Sequence, residues 1–181
     1  MIPLILALSV ALAEDPCRVK HGDVTGTMSV AWVSTAGDDV GSNSWIYVLP
    51  TRDLAQWAVK SKPTIGEFLY QLGLRRRPKP TDTRYKVTIF EVSAEELCRP
   101  IDGADPSEII NGVYPCTNGR GRPTRENSGC GTTPTRKNGE PSFDLYRVQW
   151  RDAAARGFCV LPAQRFVDEA GRGTVTPSTG N

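Results

Sequence analysis

Histidine is almost missing from this sequence: among 181 residues His21 is the single copy. Any Ser-His or Cys-His nucleophile would have to use that one ring, which sits in a polar stretch that reads as surface. The local signatures of common enzymes are missing as well, with no Gly-x-Ser-x-Gly, no Gly-x-x-x-x-Gly-Lys and no His-Glu-x-x-His. No Cys-x-x-Cys occurs, and His21 lies far in sequence from the later cysteines, which argues against zinc. Catalytic residues, metal and cofactor are therefore not expected. Asp38-Asp39 and the set Asp102, Asp105, Glu108 could act as paired acids or hold calcium, but turn and capping roles account for them.

Excess charge is also missing. Lys and Arg number 22 against 20 Asp and Glu, a net charge of +2, so the field of the whole protein attracts a polyanion only weakly. No apolar run reaches the roughly 20 residues a membrane-spanning helix needs. The longest opens the chain, from Ile2 to Ala13, and stops at Glu14-Asp15-Pro16. Its small-residue end, Ala11-Leu12-Ala13, suits a signal peptidase, so residues 1–13 are expected to be a cleaved signal peptide. No Lys or Arg precedes the run, which leaves a first core strand or helix as the competing reading. Cys17 follows charged residues and Pro16, not the small apolar residues of a lipoprotein site. Residues 14–172 have the size of one domain with its own core, and 173–181 lack the apolar residues to dock, so that tail is expected to fray.

Five cysteines are present, Cys17, Cys98, Cys116, Cys130 and Cys159. After export to a periplasm or the extracellular space they are expected to pair. Cys116 and Cys130 bracket a stretch without a large apolar side chain, and a bridge there would constrain the unfolded chain by about 3 kcal/mol. That pairing is the favoured one. Cys98 and Cys159 could pair with each other, or either with Cys17; a buried thiol at Cys159 is the plainer alternative.

Alternation of apolar and polar residues predicts strands at 24–33, 45–49, 85–92, 143–150 and 158–161, the third central and the last buried. The first two read as a hairpin. A helix is expected after Thr51 as N-cap, to about Lys60, and another from the capping box Thr64-Ile65-Gly66-Glu67, closed by Gly73. Ser93-Ala94-Glu95-Glu96 and Asp105-Pro106-Ser107-Glu108 repeat that box, 152–156 reads as an Ala-rich helical turn, and 162–170 as a closing helix. Short helices among hairpin-like strands predict an α+β fold with a small mixed or antiparallel sheet, stapled by disulfides and carrying one long polar loop at 117–141. Trp32, Trp45, Trp57 and Trp150 fall on these elements, so core packing is expected of them before sugar stacking.

Two segments carry more than a stable fold requires. Arg75-Arg76-Arg77-Pro78-Lys79-Pro80, with Arg84 and Lys86 beyond it, concentrates six basic residues against Asp82. Arg120, Arg122 and Arg125 lie in the polar loop. Repelling guanidinium groups are relieved by an anion. A solvated loop is the plainer reading of either segment. The expectation drawn from both is an exported, non-enzymatic binding or interaction protein whose basic loops meet an anionic protein, a polysaccharide or a lipid headgroup surface. Nucleic acid is not expected after export. A small secreted hydrolase or toxin-like nuclease, and a structural envelope protein, are the alternatives.

Overall fold

The computed structural model describes residues 26–35, 44–74, 84–100, 107, 113–116, 133, 143–151 and 158–172. Five strands form one sheet: β1 (Thr27–Thr35), β2 (Trp45–Pro50), β3 (Tyr85–Ser93), β4 (Tyr146–Gln149) and β5 (Cys159–Pro162). Their order is β4-β2-β1-β3-β5, and every neighbouring pair is antiparallel. Among these five, the three strands earliest in sequence are thus interior, and the two latest flank them. Helices α1 (Thr51–Ser61), α2 (Ile65–Gln71) and α3 (Ala163–Gly171) complete an α+β fold. Among the described residues no helix is long and apolar enough to cross a membrane.

The alternation of each strand divides the core in two. Ala31, Val33, Leu49, Val87, Ile89 and Leu161 meet the helices through Leu54, Trp57, Phe68, Leu69 and Phe166. Met28, Val30, Ile46, Val48, Phe90 and Val92 point to the opposite face, where Leu97 and Val113 cover them. β3 is apolar on both sides because it is interior, as its sequence predicts.

Local signals act where they stand. Thr64 Oγ1 accepts the Glu67 N–H at 3.3 Å while Glu67 takes the Thr64 N–H at 2.7 Å, so α2 begins with the predicted reciprocal cap. Gly73, at φ 79°, ends α2: its N–H reaches the Tyr70 carbonyl and that of Leu74 reaches Leu69. Ser93 and Glu96 cap one another around a 3-10 turn, Ala94–Glu96.

Four expectations are corrected. Thr51 is not a cap: Pro50 holds that position without a side-chain bond, and the buried Thr51 hydroxyl instead accepts from Ser29 at 3.1 Å. The final strand is an edge, with Phe158 and Val160 more than two-fifths exposed, because nothing among the described strands pairs beyond it. The strand predicted at 143–150 shortens to Tyr146–Gln149. The bridge at Cys116 goes to Cys98, not Cys130, with 4.9 Å between the Cα atoms.

Backbone pairing explains that last choice. After the 3-10 turn the chain runs extended beside β4, Cys98 and Arg147 exchanging both backbone hydrogen bonds at 3.0 and 2.9 Å. Arg99 then pairs in parallel with Pro115. Two further extended pieces therefore continue the sheet past β4, and Cys98 and Cys116 fall side by side. Residues 1–25, the polar stretch 117–132 with Cys130, the second capping box apart from Ser107, the 152–156 turn and the tail lie outside the described residues.

Candidate functional site

Arg75, Arg76, Arg77 and Lys79 lie outside the described residues, as do Arg120, Arg122 and Arg125, together with His21 and the carboxylates at 38, 39, 102, 105 and 108. The points from which the two basic segments depart and return are described. Leu74 closes α2, Arg84 precedes β3, and the Tyr85 hydroxyl donates to the Leu74 carbonyl at 3.5 Å, so both ends of 75–83 meet. The stretch 117–132 starts at buried, disulfide-bonded Cys116. It re-enters at buried Thr133, whose N–H donates to the Phe143 carbonyl at 2.8 Å and whose hydroxyl accepts the Phe143 N–H at 2.9 Å. From β3, across β1, β2, β4 and the Cys98–Arg99 strip to Cys116, are five strand spacings, roughly 24 Å. The two basic segments are therefore rooted on opposite sides of the sheet.

Between those roots the structure gathers polar groups that sequence patterns did not single out, and aromatic ones for which those patterns predict core packing. Arg99 is 4% exposed, an unusual place for a guanidinium. Its Nη2 pairs with Asp144 at 3.0 Å and its Nη1 donates to the Tyr146 hydroxyl at 3.3 Å. Nε, equally buried, has no hydrogen-bond partner among the described residues. Burial pushes the Tyr146 phenol above its ordinary value near 10; the Arg99 bond and charge oppose that, and the carboxylates of Asp144 and Asp53 add to it. The signal that could have flagged Arg99 is weak, since its partners stand 45 and 47 positions away.

On the helix-bearing face, β2 and the segment 143–149 that ends in β4 change character along their length. Leu49, Leu145 and Phe143 are buried beneath α1, Phe143 edge-on to Trp57 at 5.7 Å. Further along the same face Tyr47 stands opposite Arg147 and Trp45 opposite Gln149, all four partly exposed. The Arg147 guanidinium carbon lies 4.9 Å from the Tyr47 ring centre and 6.0 Å from that of Trp45. An arginine placed over two rings is restrained in position by their attraction for its charge.

The opposite face carries a second aromatic group. Trp150 contacts Trp32 at 5.1 Å, Phe90 edge-on at 6.0 Å and Phe158 at 5.4 Å, and the exposed side of Phe158 continues onto Val160 along the β5 edge. Trp57 is a core residue, Trp32 and Trp150 pack against the second cluster, and Trp45 belongs to neither. Among the described residues no group of three or more His, Cys, Asp and Glu side chains converges to hold a metal ion. Cys159 is disulfide-bonded, as Cys98 and Cys116 are. Comparison of the chain with protein-family models, with curated proteins and with solved structures finds no match.

Proposed function

We propose that this chain is an exported, non-enzymatic binding protein whose basic segments engage an anionic partner outside the cytoplasm. The observation that carries the reading is the rooting of both segments. Residues 75–83 leave and return where the Tyr85 hydroxyl meets Leu74, and 117–132 run between the Cys98–Cys116 bridge and the Thr133–Phe143 pair. Fixing the ends of a loop lowers the entropy lost when it is ordered on a partner. Arginines on such loops face mutual repulsion that an anion relieves.

Oxidised cysteines support the export half of the reading. Cys98, Cys116 and Cys159 are all bonded, and disulfides persist in compartments outside the reducing cytosol.

The test is binding to an acidic polysaccharide, an acidic protein and anionic vesicles, each titrated with salt. Arg75→Glu, Arg76→Glu and Arg77→Glu together are expected to weaken binding at least tenfold, and raising salt to weaken the wild type similarly. Affinity indifferent to both treatments ends the reading.

A further inference from the structure

We infer that Trp45, Tyr47, Arg147 and Gln149 form a sugar-ring subsite for an acidic polysaccharide, a refinement that rests on the anionic-partner reading above. The four residues are two adjacent cross-strand pairs on one face, Tyr47 opposite Arg147 and Trp45 opposite Gln149. Two aromatic rings share this face with a guanidinium over both, 4.9 Å from the centre of Tyr47 and 6.0 Å from that of Trp45.

The chemistry matches a uronic acid unit. One face of a pyranose ring presents C–H bonds whose slight positive charge suits an aromatic face, by the same quadrupole attraction that holds Arg147 there. Its carboxylate suits a guanidinium, and the Gln149 amide can both donate to and accept from ring hydroxyls. Trp45 is the ring available for this: it is partly exposed and belongs to neither core cluster, unlike Trp57.

Position supplies the second argument. Trp45 and Tyr47 are on β2, Arg147 and Gln149 on β4, and these two strands lie between β3, where the first basic segment re-enters, and Cys116, where the second departs. A chain of negative charges lying across the strands would meet one basic root, then the aromatic platform, then the other. Stacked rings beside positive charge also suit single-stranded nucleic acid. The disulfides favour the polysaccharide, because they place the protein where such polymers occur.

The test uses the oxidised full chain and defined oligogalacturonates, with a neutral oligosaccharide and a single-stranded oligonucleotide in parallel, read by calorimetry and tryptophan fluorescence. Trp45→Ala is expected to weaken oligogalacturonate binding about tenfold, with Trp45→Tyr staying near the wild type because stacking survives. Trp45→Tyr also guards against a folding defect in the alanine variant. Binding that falls on charge reversal at Arg75, Arg76 and Arg77 but is equal in Trp45→Ala and wild type overturns the subsite and leaves the anionic-partner reading standing. Tighter binding of the oligonucleotide than of the uronate also overturns it. Wild type that binds no polyanion removes the reading beneath it as well.

Discussion

The Arg99 guanidinium meets Tyr146 twice, donating to its hydroxyl at 3.3 Å while its central carbon lies 5.0 Å from the centre of the same ring. Asp144, about a third exposed, takes the other side of the cation. Removing the arginine strands a buried hydroxyl and an acid at once. Arg99→Met should lower unfolding free energy by about 2–3 kcal/mol, and Asp144→Asn, acting on a solvent-screened partner, by about 1 kcal/mol or less. Urea denaturation of the three proteins checks the ranking; a neutral Arg99→Met would mean the cluster contributes nothing net.

Alkaline pH should expose the same cluster. Tyr146 holds its proton more tightly folded than unfolded, mainly through burial. Its contribution is therefore intact below the unfolded value near 10 and is lost as pH rises through the higher folded value. Thermal midpoints between pH 9 and 11 should fall more steeply in wild type than in Tyr146→Phe. Parallel slopes would contradict the assignment.

Peptide mapping without reduction should recover Cys98 joined to Cys116, separated by 18 positions, and no Cys116–Cys130 peptide. Cys98→Ser should cost about 3 kcal/mol, the entropy of the loop that is no longer closed.

Lys62 ends α1 in the left-handed conformation, at φ 45°, where a side chain is penalised and glycine is not. Lys62→Gly should stabilise the protein by about 0.5–1 kcal/mol, visible as a higher urea midpoint. By contrast Phe68→Ala should cost about 3–5 kcal/mol, since that ring is fully buried between Trp57 and Phe166.

What the sequence discloses is whatever is decided within a few residues. The capping pairs Thr64–Glu67 and Ser93–Glu96, the Gly73 stop, the hairpin of β1 and β2 and the interior character of β3 are all legible because each depends on local spacing. What stays hidden is decided by partners far along the chain. Cys116 closes on Cys98 because both flank strips added beyond β4, a neighbourhood no spacing announces. Thr51 has the composition of a cap, yet Ser29 from β1 donates to its hydroxyl. β5 has an apolar sequence, but its edge position leaves Val160 exposed. Trp45 reads as one more core aromatic, yet it is only partly buried and belongs to neither core cluster.

Because β4 and β5, the two strands that flank the three interior ones, are made last, the order of synthesis matters. A nascent chain that has emerged only as far as Tyr146 carries β1, β2 and β3 with two open flanks, each able to zip onto a neighbouring polypeptide. Avoiding such mispairing then depends on how quickly the final fifth of the chain follows the rest.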